Sequence, residues 1–140
     1  MIEAAATGAV RAMYVKGPTR SRLGDSARAE RALSNLEFLV VQDMFLTETA
    51  RLADVVLPAC SWAEKDGTYT SAERRVQRLN KALQSRGESR PDGAILLQVF
   101  ERMGRPLGNS STDDVLGEIA SAAPSYAGIT RALLDARTRL

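Results

Sequence analysis

Four polar side chains stand where the sequence predicts the edge of a parallel sheet. Asp43 ends an apolar run, Thr47 lies four residues later, Lys65 follows a second short apolar run, and Asp92 opens an amphipathic segment. A carboxylate has two acceptor oxygens, so Asp43 can accept two N–H donors of the kind that a guanine edge presents. A helix start at Thr47 can face a ribose or phosphate, and a lysine meets phosphate as a point charge. These residue types predict a site for a nucleotide-like ligand.

Each of these residues also has a purely structural interpretation, which residue type alone leaves open. Asp43 could be a solvated carboxylate at a strand end or a helix cap, and Thr47 could be an N-cap. Lys65 could be a solvated loop lysine. Asp92 could cap the following helix or stabilise its dipole.

The apolar pattern indicates the elements that would position these side chains. A helix from Asp25 or Ser26 to about residue 33 and a short helix beginning at Thr47 should separate three strands. Such short connections favour right-handed crossovers and a parallel sheet, whose carboxyl edge is where open α/β sheets bind ligands. The strands are expected at residues 11–16, 36–41 and 54–57, with Leu39, Val40, Val55 and Val56 buried.

After the third strand the sequence predicts a long irregular loop and then helices. Residues 62–90 are polar without a strong period, and Gly67 is expected to take a positive φ in a turn. An amphipathic helix should begin at Asp92, a second after Ser111 or Thr112, and a last short one over residues 127–134. The expected fold is α/β, a three-layer, mostly parallel Rossmann-like sheet flanked by helices in a single domain of residues 1–140.

Composition excludes several classes of site. The net charge of +2, from 19 basic and 17 acidic residues, does not indicate nucleic acid binding. The absence of histidine excludes a histidine metal site or histidine general base. The single cysteine, Cys60, excludes an intrachain disulfide and an iron–sulfur cluster held by this chain alone, and it is expected to be buried and inert. No apolar run approaches a membrane span, so a cytoplasmic chain without membrane insertion is expected.

Five short blocks occur in a recognisable order. They are VQDMFLTETA at 41–50, ADVVLPA at 53–59, EKDGTYT at 64–70, ERRVQR at 73–78 and GESRPD at 87–92. Together they resemble the molybdopterin oxidoreductases, in particular the formate dehydrogenase catalytic (alpha) subunit. The resemblance covers roughly residues 1 to 130 and corresponds to one internal segment of a much longer polypeptide.

The resemblance implies roles for five residues. It implies that Asp43 helps to recognise the guanine of a molybdopterin guanine dinucleotide, with Gln42 contributing through position or backbone. Thr47, Lys65 and Asp92 would lie at the nucleotide end of the same cofactor. The molybdenum or tungsten ligand, the iron–sulfur cluster and the rest of the cofactor site would belong to other domains or subunits. The segment would carry no redox centre and show no catalytic activity alone.

Other interpretations remain open at this point. The chain could be a non-catalytic packing module of a larger iron–sulfur redox subunit, as in the large subunit of NADH–quinone oxidoreductase. A generic nucleotide-binding protein is disfavoured because the sequence has no G-x-G-x-x-G or Walker pattern. The arginines Arg74, Arg75 and Arg78 are expected on a solvated face with salt bridges to Glu64 or Glu73. A truncated gene, a split subunit and an excised domain are all compatible with the resemblance.

Overall fold

The computed structural model describes residues 1–17, 26–108 and 111–137 of the chain. The chain divides into two compact units. The first comprises Met1–Cys60 and Arg86–Ile95, and the second comprises Ser61–Ser85 and Leu96–Leu140. That the whole chain forms a single domain stays a prediction.

The first unit is built on a three-stranded parallel sheet. Its strands are β1, Ala12–Lys16, β2, Phe38–Asp43, and β3, Val55–Pro58, in the order β1-β2-β3. Two helices belong to this unit, α1, Ile2–Ala6, and α2, Ser26–Ser34. The α/β class, the three strands and their parallel pairing are confirmed, and α2 occupies the predicted first connection. The Asp25 alternative for its start lies outside the described residues.

One face of the sheet packs on the helices. Val15 of β1 and Leu39 and Val41 of β2 share this face, because alternate residues of a strand point to the same side. They form one buried cluster with Leu33 of α2 and Ala50 of the connection that follows β2. Both connections therefore cover the same side of the sheet. A three-layer arrangement that covers both sides stays a prediction.

Strand β2 ends two residues later than predicted. Gln42 and Asp43 belong to the strand, since the N–H of Gly17 donates to the carbonyl of Gln42 and the N–H of Ala59 donates to that of Asp43. Their polar side chains made them resemble residues beyond a strand. Their backbone groups nevertheless pair with β1 and β3, so the sheet fixes the position of the Asp43 backbone.

The predicted burial of the third strand is wrong. Val55 and Val56 are 38% and 36% exposed, and Val40 is half-buried, whereas Leu39 is buried as expected. The reason is the strand order, because β3 is an edge strand of this sheet. A run of apolar residues in the sequence cannot distinguish an edge strand from a central one.

The predicted helix at Thr47 is also wrong, because only a single 3-10 turn, Ala50–Leu52, forms in this connection. The Thr47 hydroxyl oxygen nevertheless accepts the N–H of Ala50 at 3.3 Å, as a capping residue does. This hydrogen bond agrees with the N-cap interpretation of Thr47, although the residue directly before the 3-10 turn is Thr49.

The second unit contains a β-hairpin where the sequence predicted an irregular loop. Strands β4, Gly67–Thr70, and β5, Val76–Leu79, pair antiparallel. Gly67 lies in β4 without a positive φ, and the left-handed residue is instead Arg74, with φ 63°, in the turn between the strands. Four-residue strands whose residues are exposed or only half-buried carry too weak an apolar alternation to be recognised in the sequence.

Three helices follow the hairpin in sequence. They are α3, Asp92–Arg102, which begins in the first unit, α4, Thr112–Ala122, and α5, Arg131–Arg137. Ser111 caps α4, and its hydrogen bonds to Asp114 lower the pKa of that carboxyl. The last helix begins four residues later than predicted, after Gly128, whose φ of 78° cannot continue a helix. None of the helices in the described ranges is long and apolar enough to cross a membrane.

Arg78 of the hairpin is anchored by ion pairs. Its guanidinium lies 3.7 Å from Asp113 and 3.5 Å from Asp135, and Arg131 pairs with the same two carboxylates. The Arg78 side chain is only 14% exposed. The expected partner Glu73 pairs with Arg75 at 3.7 Å, so the prediction of salt bridges holds for Arg75 and misses the partners of Arg78.

Candidate functional site

The candidate site lies at the carboxyl end of β2. Gln42 and Asp43 are consecutive residues of an extended strand, so their side chains point to opposite faces of the sheet. Each takes part in its own hydrogen-bonded group. The structure therefore resolves the predicted site of the first unit into two clusters, an amide cluster around Gln42 and a carboxylate cluster around Asp43.

The amide cluster joins Gln42 to the start of α3. The Gln42 side-chain N–H donates to Asp92 Oδ1 at 2.8 Å, and the hydroxyl of Tyr14 donates to Gln42 Oε1. Lys16 Nζ lies 3.5 Å from the same Asp92 oxygen. Gln42 is 1% exposed, and a buried amide needs such partners at both ends. The Gln42 side chain thus links β1 to the start of α3, and a contribution of Gln42 to a ligand site through its position or backbone stays a prediction.

Tyr14 and Lys16 are functional candidates that sequence reasoning missed. They stand two residues apart on β1, opposite Val40 and Gln42 in the parallel register, so they share a face with Gln42. The sequence did contain a signal for them, because Tyr14 and Lys16 are polar side chains at alternate positions of the predicted first strand. Burial raises the pKa of Tyr14 above its usual 10.0, and the charge of Asp92 raises it further.

The carboxylate cluster holds Asp43 by two donors. The N–H of Met44 donates to Oδ1 at 2.7 Å, and the hydroxyl of Thr47 donates to Oδ2 at 3.3 Å. Asp43 is half-buried, so its carboxylate stays partly accessible. The Thr47 hydrogen is directed at Asp43, so a ligand would meet its hydroxyl only as an acceptor. Asp43 and Thr47 are brought together as predicted.

Lys65 belongs to the second unit. It is half-buried and follows the 3-10 helix Trp62–Glu64, whose start is closed by the Ser61 N–H donating to Glu64 at 2.7 Å. Its convergence with the residues of the first unit stays a prediction.

Cys60 is buried, as expected. In the described ranges, no group of histidine, cysteine and acidic residues could hold a metal ion.

Tyr14→Phe should destabilise the protein by about 1–3 kcal/mol at neutral pH, because it leaves the buried Gln42 carbonyl oxygen without its donor. The measurement is urea unfolding followed by circular dichroism. Tyr69→Phe is the matched control, since Tyr69 is 62% exposed, and it should change little. Equal stability of the two variants would contradict the role of Tyr14.

The same pair of variants tests the pH dependence. A pKa raised in the folded state means that folding favours the protonated phenol, so this contribution is present below about pH 10 and is lost as the pH rises further. The stability difference between wild type and Tyr14→Phe should therefore narrow above pH 10. A difference that widens would show that ionised Tyr14 is favoured in the folded state.

A family model described as molybdopterin oxidoreductase matches residues 1–102, which include the whole sheet, Gln42, Asp43 and Asp92. The chain belongs to the molybdopterin oxidoreductase family. This confirms the resemblance that the five sequence blocks indicated.

Relatives of this molybdopterin oxidoreductase segment carry the name formate dehydrogenase. The chain is 51% identical over 108 residues to the F420-dependent formate dehydrogenase 2 subunit alpha of Methanococcus maripaludis, a match that covers 76% of this chain and 16% of the relative. It is 50% identical over 108 residues to the F420-dependent formate dehydrogenase subunit alpha of Methanocaldococcus jannaschii, with the same two coverages. The chain thus spans about one sixth of the length of these curated relatives.

A solved structure supports the fold. The structure of the acetylene hydratase from Pelobacter acetylenicus superposes on this chain with a TM-score of 0.69. The superposed region covers 94% of this chain and 19% of that enzyme. The sequence identity is 21%, so this likeness concerns the fold alone.

Proposed function

We propose that this chain is a segment of a formate-dehydrogenase-like enzyme and that its first unit binds the guanine dinucleotide part of the molybdopterin cofactor. The family membership implies a molybdopterin cofactor, and the names of the relatives indicate formate oxidation by the complete enzyme. The observation that carries the binding proposal is the Asp43 carboxylate, fixed by two donors at the end of the central strand.

The lone pairs of Asp43 fit a guanine base. An ionised carboxylate has about four acceptor positions on its two oxygens. Met44 occupies one position on Oδ1 and Thr47 one on Oδ2, which leaves one on each oxygen. Guanine presents two neighbouring N–H donors that match this remaining pair. The protein contacts would also hold the carboxylate in a fixed orientation before the base arrives, which lowers the entropy cost of binding.

The amide cluster would contact the polar end of the same ligand. Lys16 places an ammonium group beside Asp92, and its side chain is 56% exposed, so a phosphate could approach it. Asp92 contacts both Gln42 and Lys16, and these contacts support the proposal that it orients their side chains toward the ligand. Lys65 of the second unit is proposed to contact the pyrophosphate or ribose.

The remaining parts of the enzyme would supply the redox chemistry. The sequence holds one cysteine and no histidine, so the metal ligand, the iron–sulfur cluster and the second half of the cofactor site are proposed to come from other domains or subunits. Molybdenum and tungsten both fit this proposal. A cytoplasmic location is proposed, and the chain by itself should not oxidise formate.

The test is a titration of the chain with guanosine diphosphate and adenosine diphosphate, followed by ¹⁵N-resolved amide shifts. Guanosine diphosphate should bind more tightly, with the largest shifts at Asp43, Met44 and Thr47. Binding is expected to be weak, since a partial site makes only part of the contacts. Equal affinity for both nucleotides, or shifts confined to other residues, would overturn the proposal.

A second candidate function rests on the loop between Asp43 and Thr47. Met44, Phe45 and Leu46 are consecutive apolar residues, and each is exposed. Such a run fits a packing module that docks on a larger iron–sulfur redox subunit, as in NADH–quinone oxidoreductase. The titration separates the two functions, because a packing module would bind neither nucleotide.

A further inference from the structure

The second unit contains an open cavity of about 850 Å³ between the β4–β5 hairpin and the segment that leads into α5. Small-molecule sites are commonly cavities of roughly 300–1,000 Å³ with apolar walls and a few polar groups. None of the residues that line this cavity belongs to the proposed nucleotide site, so the cavity would bind a different ligand.

One wall of the cavity is basic. Arg74, Arg75 and Arg78 of the hairpin line it. Arg78 is already neutralised, because it and Arg131 share the carboxylates of two aspartates. Arg75 is bound only loosely to the exposed Glu73. In the described part of the chain, the Arg74 side chain makes no ion pair. The lining therefore keeps an excess of about one positive charge.

The backbone holds Arg74 in an uncommon conformation. Its φ of 63° is the only positive value among the described residues other than glycine. Such left-handed residues cost free energy and are concentrated at functional positions. The turn is held by the N–H of Arg74 donating to the Ser71 carbonyl at 2.9 Å and by the N–H of Ser71 donating to the Arg75 carbonyl at 2.9 Å.

The opposite wall is apolar. Tyr126, Ile129 and Leu133 line it, and Leu133 is 39% exposed. The Tyr126 hydroxyl is fixed by a 3.0 Å hydrogen bond with Thr70 Oγ1, so its ring is positioned as part of the wall. Binding of an apolar ligand body against this wall would bury side chains that are now partly exposed, which is favourable.

We propose that this cavity binds a small amphipathic carboxylate. Its apolar body would cover Tyr126, Ile129 and Leu133, and its carboxylate would pair with the guanidinium groups of Arg74 and Arg75. A guanidinium fork matches the two oxygens of a carboxylate, which favours this anion. A single carboxylate also balances the one excess positive charge of the lining.

The experiment is a titration of the full chain with octanoate, followed by ¹⁵N-resolved amide shifts. Octanamide has the same apolar body without the charge, and acetate has the charge without the body. Octanoate should give saturable shifts at Arg74, Arg75 and Ile129, and each control compound should bind at least about tenfold more weakly. Equal binding of octanoate and octanamide, or no shifts at these residues, would overturn the proposal.

Three substitutions test whether the bound carboxylate pairs with Arg74. Arg74→Gln should weaken octanoate binding about tenfold, whereas Arg102→Gln, at an exposed residue of α3, should leave it unchanged. Arg74→Gly removes the same guanidinium while suiting the left-handed turn, so a loss of binding in this variant cannot come from a strained backbone. Wild-type affinity in both Arg74 variants would overturn the proposal.

Discussion

Replacing Asp43 by asparagine should abolish the preference of the chain for guanosine diphosphate over adenosine diphosphate. The variant keeps one acceptor oxygen and gains an amide N–H₂ that faces a guanine donor, so one interaction is lost and a repulsion is added. A charge-assisted hydrogen bond contributes about 1.5–3 kcal/mol. Affinity for guanosine diphosphate should therefore fall roughly tenfold to a hundredfold.

The control for this variant must remove the same charge elsewhere. Glu88→Gln does so at an exposed residue of the same unit and should leave both affinities unchanged. Parallel titrations of wild type and the two variants with both nucleotides measure the effect. If Asp43→Asn binds guanosine diphosphate as wild type does, Asp43 does not recognise guanine.

Leu39→Ala should cost about 2–5 kcal/mol of the free energy of unfolding. Leu39 is 1% exposed and lies in the cluster that joins the sheet to α2. Truncation removes buried apolar surface and leaves a cavity that this packing can fill only in part. A loss of this size is a large fraction of the stability of an ordinary domain, about 5–15 kcal/mol.

The matched substitution is Leu83→Ala, since Leu83 is 60% exposed and carries the same side chain. It should change the free energy of unfolding by no more than about 0.5 kcal/mol. Urea unfolding followed by circular dichroism gives both values. A similar small loss in Leu39→Ala would show that this residue is not part of a tight core.

The sequence predicted the sheet well because its signal was local. The uninterrupted apolar runs before Gln42 and before Pro58 are typical of short strands, and the segments between the predicted strands are long enough for crossover connections. The same run predicted Asp43 at a strand end, whereas the hydrogen bond between Asp43 and Thr47 was seen only in the structure.

What the sequence could not predict depends on contacts between distant residues. Tyr14 meets Gln42 across 28 positions, and Asp92 meets Gln42 across 50, so only the assembled sheet reveals the amide cluster. The exposure of Val55 and Val56 follows from the position of β3 at the edge, which no local pattern encodes. The β4–β5 hairpin was missed because none of the residues in its two strands is fully buried.

The alternation of side chains along β2 ties the proposed cofactor site to the packing of the core. Leu39, Val41 and Asp43 face one side of the sheet, and Gln42 faces the other. A one-residue insertion or deletion inside β2 would exchange the sides, placing Gln42 among the helices or Asp43 beside Asp92. Evolution can therefore change residue types in this strand, but a change in its length would damage folding and ligand recognition together.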